Sequence, residues 1–311
     1  MLSIFSIPKP FVGHIGVIQR NAIKSWLILE PKCEIILLGD EKGIKEISEE
    51  FGIVHIPNIA KNEFGTPLLN DIFAKISLSA SFKDIAFVNS DIILLSDFLE
   101  AFKMINFPSF VMVSRRWELD IKEDIDFKSN GEEKIRQLLI KKGRLFSHSG
   151  IDYFIFKESF PSKIPPFILG RSGGYDSWLL YHANSLGIPI VDVTKVTSVI
   201  HQYHENASYV FQGSQGPGKK IETKRNLKLG GGFLHRMTIR DAGWQLTREG
   251  LIKKKNSLFY QNIYRYSAGL LAHYPFFNFW YKILFSPIWL LAKTLQEIRD
   301  LCLKKGKFWL K

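Results

Sequence analysis

The residues Asn89-Ser90-Asp91 interrupt an apolar run, with Phe87-Val88 before them and Ile92-Ile93-Leu94 after. Residues two apart in an extended chain project the same way, so Asn89 and Asp91 suit a divalent metal or the ribose-diphosphate that such a metal holds. The plain alternative is an Asn-Ser-Asp turn between strand and helix. Three later stretches carry comparable chemistry. Arg115-Arg116-Trp117 puts two guanidiniums beside an indole, which suits a diphosphate or a sugar ring as well as a solvated charged loop. Gly173-Gly174-Tyr175-Asp176 leads tightly into a helix with Asp176 in its first turn, where a carboxylate is favoured by the helix dipole whatever else it does. His201 and His204 close an apolar run at Val199-Ile200, either as structural imidazoles or as a source of metal ligand.

These residues need a scaffold, and the chain supplies strands alternating with helices. Leu2 to Ile7 reads as a strand, and the helix after Pro8-Lys9-Pro10 has an apolar stripe through Ile15, Ile18, Ala22, Trp26 and Leu29. Glu34 to Leu38, Ile53 to Ile56, Ile85 to Val88 and Phe110 to Val113 read as further strands, with a helix at Ile44 to Phe51. A second helix is predicted after Thr66-Pro67, Thr66 acting as its cap and Pro67 as its first residue. Residues 121–149 read as a polar loop, able to act as a lid, with one helix at Glu132 to Lys141. Strands follow at 149–156, 189–193 and 199–202. Residues 205–232 are rich in Gly, Gln and Lys and read as a long loop. Such alternation predicts an α/β fold with a mostly parallel sheet, whose ligands gather at the carboxyl ends of the strands. The sequence would bring Ser6 to Pro10, Gly39-Asp40-Glu41, Asn62-Glu63 and Asn89-Ser90-Asp91 to that rim.

A chain of 311 residues with 46% apolar and 23% charged residues has ordinary globular composition. Cys33 and Cys302 are too far apart in sequence to suggest a disulfide scaffold or a zinc site, which points to a reducing, cytoplasmic setting. The start lacks a basic n-region and is broken by prolines too early for a signal peptide. The net charge of +12 is uneven: residues 251–311 hold eleven Lys or Arg against Glu297 and Asp300, leaving only +3 for the first 250. This distribution speaks against a nucleic-acid-binding body. The tail has aromatic and aliphatic bulk from Phe276 to Ala292, yet Asn278, Lys282 and Pro287 interrupt it, so a spanning helix is not expected. Trp280, Tyr281, Trp289 and Trp309, with many lysines, suit the surface of an anionic membrane on its cytoplasmic face, and equally a helix packed back on the body.

Taken together, Ile7-Pro8-Lys9-Pro10-Phe11, Asn62-Glu63-Phe64-Gly65-Thr66-Pro67, Asn89-Ser90-Asp91-Ile92, Arg115-Arg116-Trp117, Gly170-Arg171 with Tyr175-Asp176-Ser177-Trp178-Leu179, and Val199-Ile200-His201-Gln202 resemble nucleotide-sugar-dependent glycosyltransferases of the GT-A fold, a group found in bacteria and plants. The resemblance spans about residues 3–250 and stops before the tail. It implies a GT-A-like Rossmann-type domain over residues 1–250, with a nucleotide-sugar half at 1–117 and an acceptor half at 118–250; residues 251–311 read, from their composition, as a basic, aromatic helical tail. Asn89-Ser90-Asp91 stands where such enzymes carry Asp-x-Asp, the motif that binds a divalent cation, Mn²⁺ or Mg²⁺, bridging the donor diphosphate. Here the first carboxylate is an Asn, leaving Asp91 as the main anionic ligand. His201 resembles the histidine that completes the metal sphere, and Asp176 the base that takes the acceptor's proton in inverting members. The implied donor side is Pro8, Lys9, Asp40, Glu41, Asn62, Glu63, Asn89, Asp91, Arg115 and Arg116. The implied acceptor side is Trp117, Arg171, Tyr175 and Trp178, meeting a glycan or lipid-linked glycan.

Two rivals remain at this level. A nucleotidyltransferase shares the fold and the metal chemistry, but carries a Gly-rich phosphate loop after the first strand where this chain has Pro-Lys-Pro-Phe. A non-catalytic module binding a membrane surface or polysaccharide needs neither a nucleotide nor Asp91.

Overall fold

The structure is a computed structural model describing residues 1–157, 161, 163–170, 174–204, 217–232 and 235–254. Its first half alternates β1 (Leu2–Ser6), α1 (Gly13–Leu27), β2 (Glu34–Leu38), α2 (Ile44–Phe51), β3 (Val54–Ile56), α3 (Leu69–Ser79) and β4 (Asp84–Val88). There follow β5 (Ile92–Ile93), α4 (Asp97–Lys103), β6 (Phe110–Val113), β7 (Trp117–Leu119), α5 (Gly131–Lys142), β8 (Arg144–Leu145) and β9 (Tyr153–Lys157). The chain continues through α6 (Tyr175–Ser185), β10 (Ile190–Asp192), β11 (Ile200–Gln202), α7 (Pro217–Leu229), β12 (Trp244–Thr247) and β13 (Gly250–Lys253).

Nine strands form one sheet in the order β13-β12-β10-β6-β9-β4-β1-β2-β3. It is mostly parallel, as the alternation predicts; β9 runs antiparallel to both its neighbours, and β13 antiparallel to β12. Neighbouring residues of each strand serve opposite faces, which is why the strands read as near-continuous apolar runs. Phe5, Phe87 and Phe154 point to one face, under α3 and α6, with Phe5 stacked on Phe87 at 5.2 Å. Ile4, Ala86 and Ile155 point to the other, under α1, α2 and α4. Each fully buried Phe or Ile contributes about 1.5–3 kcal/mol, so the two cores fix the register of the strands and hence the position of their carboxyl ends.

A second sheet, β5-β11-β7-β8, lies beyond that rim and packs its own small core against α5. Its register pairs Ile200 with both Ile93 and Trp117, and His201 with both Ile92 and Glu118. This small sheet brings Asp91, Glu118, His201 and His204 together.

Three local expectations are corrected. Thr66 does not cap α3, whose preceding residue is the extended Leu68; the Thr66 hydroxyl donates instead to Glu222 Oε1 at 2.6 Å, and Pro67 bridges to Lys61. The stretch read as a long loop at 205–232 contains α7. The sheet also runs past residue 250, through β13. Among the described residues no helix is long and apolar enough to cross a membrane. The tail from 255 onward lies outside the described residues.

Candidate active site

Val88 ends β4 as a buried residue, and the next three residues turn across the top of the sheet. Asn89 accepts the Ile92 main-chain N–H at 3.1 Å, closing the turn, while the Ser90 hydroxyl donates to Gln19 Oε1 at 2.8 Å. Gln19, buried on α1, also clasps the main chain of Lys9 through both its amide atoms, at 2.7 and 2.9 Å. The Asn-Ser-Asp turn and the Pro-Lys-Pro loop are thus tied to one another by a single glutamine.

Asp91 faces two imidazoles. Its Oδ2 lies 3.6 Å from His201 Nε2 and 3.2 Å from His204 Nε2, and its Oδ1 is buried with no hydrogen-bond partner. One ligand atom from each of the three residues lies within 4.8 Å of the others, a spacing that a single divalent ion can span. The orphaned Oδ1 and the two converging ring nitrogens fit a cation that the resemblance assigns here. Burial alone would raise the proton affinity of Asp91, yet the charge and hydrogen bond of His201, the His204 hydrogen bond and the Lys9 ammonium hold its pKa well below the usual carboxylate range. Burial would likewise depress His201, but Asp91 and Glu118 raise it to about 10.

Behind the histidines runs a chain of charges. Glu118 Oε2 is 3.0 Å from His201 Nδ1, its Oε1 accepts from Arg116 Nε at 2.8 Å, and Arg116 Nη1 donates to Asp152 Oδ2 at 2.7 Å. Asp152 Oδ1 in turn accepts from Asn89 Nδ2 at 2.9 Å. The Arg116 guanidinium also lies over the Phe146 ring, 4.2 Å from its centroid. Asn89, the position where a first carboxylate would stand, therefore spends its side-chain amide on Asp152.

Asn89, Arg116, Phe146, Asp152, Tyr175 and Asp176 line a cleft of about 280 Å³. It shares Asn89, Gly170 and Tyr175 with a neighbouring hollow of about 150 Å³ bounded by Ser6, Ile7 and Phe87 at the ends of β1 and β4. Asp176 sits in the first turn of α6 and accepts the Ser177 main-chain N–H at 2.8 Å. Burial, and secondarily the nearby Asp152 charge, push its pKa up, against the opposing pull of that N–H and of the Arg236 guanidinium. Gly174 precedes the helix at φ +80°, a left-handed conformation that favours glycine, and a Cβ there would come within 3.2 Å of Arg236 Nε.

The predicted residues thus divide. Asn89, Arg116, Tyr175 and Asp176 meet at the cleft, and Lys9, Asp91 and His201 meet beside it. Pro8 is buried in the loop that Gln19 holds. Asp40 and Glu41 are bound together by Lys61, and Glu63 pairs with Arg225 at the surface. Asn62 folds its own loop, accepting from the main chain of Phe64 and Thr66, and donates to Glu222 at 2.7 Å. Arg115 is buried, its Nε donating to the Phe146 carbonyl at 2.7 Å. Trp117 packs on the small core of the second sheet. Trp178 belongs to the main core, against Phe167 and stacked on His182, and does not line the cleft. Arg171 lies outside the described residues. Glu118, Asp152, Gln19 and Arg236 escape a reading of the sequence. Of these only Glu118 carries a local signal, being two residues from Arg116.

In fold the chain is similar to S. aureus TarS 1-349 in complex with UDP-GlcNAc, at 14% identity over 76% of this chain and 67% of that one, with a TM-score of 0.43. It is similar also to glucosyl-3-phosphoglycerate synthase from Mycobacterium tuberculosis in complex with Mn²⁺, UDP and phosphoglyceric acid, at 14% identity over 73% and 76%, with a TM-score of 0.42. A cytidylyltransferase from Leptospira borgpetersenii is similar at 12% identity over 50% and 60%, with a TM-score of 0.32. The chain spans 46% of a further TarS 1-349 structure, and 60% of the cytidylyltransferase. The likeness is one of fold. No family model matches the chain, and no curated protein matches its sequence.

Proposed function

We propose that the protein transfers a sugar from a nucleotide-sugar donor to a hydroxyl acceptor with inversion at the anomeric carbon. The observation that carries this reading is Asp176. It is a half-buried carboxylate of raised proton affinity at the wall of a cleft it shares with Asn89, Arg116 and Asp152, beside the Asp91-His201-His204 group. A base of raised pKa matches the task of removing a proton from an alcohol as its oxygen attacks.

In this reading Asp176 accepts the acceptor hydroxyl's proton while that oxygen forms a bond to the anomeric carbon. The bond from that carbon to the diphosphate oxygen breaks, and the nucleoside diphosphate departs with the electron pair. A divalent cation held by Asp91, His201 and His204 would neutralise charge on that leaving group. The Lys9 ammonium, buried beside Asp91, adds positive charge on the same side. Arg116 keeps the cleft wall in place through Glu118 and Asp152. The acceptor, a glycan or lipid-linked glycan, would approach over Tyr175.

A nucleotidyltransferase would use a similar sheet rim, but its reaction attacks a phosphorus and gives no role to a base at the head of α6. Isothermal titration with a panel of nucleoside diphosphates, followed by a donor-hydrolysis screen across common nucleotide-sugars, separates the readings. Glycosyl transfer predicts diphosphate binding that weakens in Asp91→Asn, and sugar release from at least one donor. Release of pyrophosphate from a nucleoside triphosphate, with no sugar release, would favour nucleotidyl transfer. No nucleotide affinity at all would reject both.

A further inference from the structure

Helix α7 has two unlike faces. Its inward side is pinned by polar groups: the buried Glu222 carboxylate accepts from Asn62 Nδ2 at 2.7 Å and from the Thr66 hydroxyl at 2.6 Å, and Asn226 clasps the main chain of Ile168. Ile168 leads directly into Leu169 and Gly170, which line the hollow at the ends of β1 and β4. These bonds fix how α7 is turned about its own axis, and so which side chains it shows to solvent.

The outward side carries Lys220, Lys224 and Lys228, all exposed. Residues four apart lie on one strip of a helix, each a turn beyond the last. The ion pair of α7 is made by Arg225 with Glu63, at 2.5 Å; none of the three lysine ammoniums has an acidic partner among the described residues. Like charges at this spacing repel and weaken a helix. The strip therefore works against α7, and the buried hydrogen bonds hold the helix in spite of it.

Ile221 lies on the same strip, three residues before Lys224 and seven before Lys228, and is 43% exposed. An apolar side chain among unpaired ammoniums matches a lipid surface, where lysines meet anionic headgroups and the isoleucine enters the acyl boundary beneath them. A soluble polyanion satisfies the charges and offers the isoleucine nothing.

We propose that the Lys220-Lys224-Lys228 strip is a docking face for an anionic lipid bilayer, with Ile221 directed into it. The face belongs to the folded body and is separate in sequence from the basic tail. The proposal goes beyond the transfer reaction and holds whichever donor and acceptor the cleft takes.

The test uses the full chain, tail included, and sedimentation with vesicles of phosphatidylcholine alone or mixed with phosphatidylglycerol. The parent should bind the mixed vesicles at low salt and release them at high salt, as screening shortens the reach of the charges. Neutralising the strip with Lys220→Gln, Lys224→Gln and Lys228→Gln together should weaken that binding by about 100-fold. The corresponding Lys→Arg changes keep the charge and should bind as the parent does. Lys134→Gln, Lys141→Gln and Lys142→Gln, at exposed positions of α5, remove the same net charge from another face and should weaken binding far less. Ile221→Ser should weaken it by about 3- to 10-fold on vesicles, yet leave binding to inorganic polyphosphate unchanged. Hydrogen exchange at Ile168 checks that α7 stays docked in each variant. A parent that ignores the mixed vesicles overturns the proposal, as does a strip variant that binds them like the parent. An equal loss in the α5 variant, or a loss in the Lys→Arg variant with Ile168 still protected, also overturns it. If polyphosphate binding is lost in the strip variant while Ile221→Ser binds vesicles normally, the strip reads a free polyanion and the bilayer assignment fails.

Discussion

Asn89 and Asp152 are joined twice: the Asn89 main-chain N–H donates to the Asp152 carbonyl at 2.9 Å, and its side-chain amide donates to the Asp152 carboxylate at 2.9 Å. An aspartate at position 89 would set a second carboxylate against the first, with Arg116 the only cation bridging to Asp152 in the described residues. Asn89→Asp is therefore expected to destabilise the fold by about 1–3 kcal/mol instead of improving metal binding, because a half-buried donor is exchanged for a like charge. Urea unfolding at neutral pH measures this; a variant as stable as the parent, with tighter Mn²⁺ binding, would refute it.

Replacing Asp176 by Asn should lower turnover by about 10²- to 10⁴-fold with donor binding intact, the range for losing a positioned base. Turnover near that of the parent would reject Asp176 as the base.

The raised pKa of Asp176 has a sign that can be followed with pH. Only the ionised carboxylate accepts a proton, so turnover should climb with pH along a limb whose midpoint lies above the ordinary aspartate value of about 3.9. Stability moves the other way. A carboxyl whose folded pKa exceeds its unfolded value contributes most below the unfolded value, and that contribution is lost as pH rises through the folded value. The melting temperature of Asp176→Asn at pH 7 should accordingly equal or exceed that of the parent. A marked fall would mean that Asp176 is a stabilising anion held by Arg236.

Asn226, buried on α7, accepts the Ile168 main-chain N–H and donates to its carbonyl, both at 2.8 Å. Asn226→Ala leaves both main-chain groups without that partner and should cost about 1–3 kcal/mol. Hydrogen exchange at Ile168 should quicken in step; unchanged protection there would show that α7 is not what holds this segment beside the cleft.

The tail is tested by removing residues 256–311. A surface anchor predicts a folded body that no longer sediments with anionic vesicles at low salt, given that each basic residue close to such a surface is worth about 1 kcal/mol. A truncated chain that unfolds would instead make the tail part of the core.

The strands of the main sheet were legible because each carries a continuous apolar run, and the Asn-Ser-Asp turn was legible because it breaks one. The companions of Asp91 were less so. His201 and His204 stood out as a pair, but Glu118 and Asp152 reach them only through strand pairings, Glu118 beside His201 in the second sheet and Asp152 just before β9, that no local pattern announces. Helix α7 was missed for a different reason. Its buried positions include Glu222 and Asn226, four apart and both polar, so the face that packs inward is read in sequence as one that faces water. Trp178 shows the opposite error, an aromatic beside a functional aspartate that serves packing.

Strand β9 also constrains how the protein is made. It lies between β4 and β6, both of which leave the ribosome before it. Until residues 153–157 have emerged, the nascent chain holds the four strands β4-β1-β2-β3 with β4 as a bare edge, and β6 without either of its sheet neighbours, each able to pair with a strand of another molecule. The residues just before β9 include Asp152, so the same late event that seals these edges also brings the carboxylate to Asn89 and Arg116. A chain arrested short of that point would be an aggregation hazard with an unfinished cleft, and the two properties would be gained together.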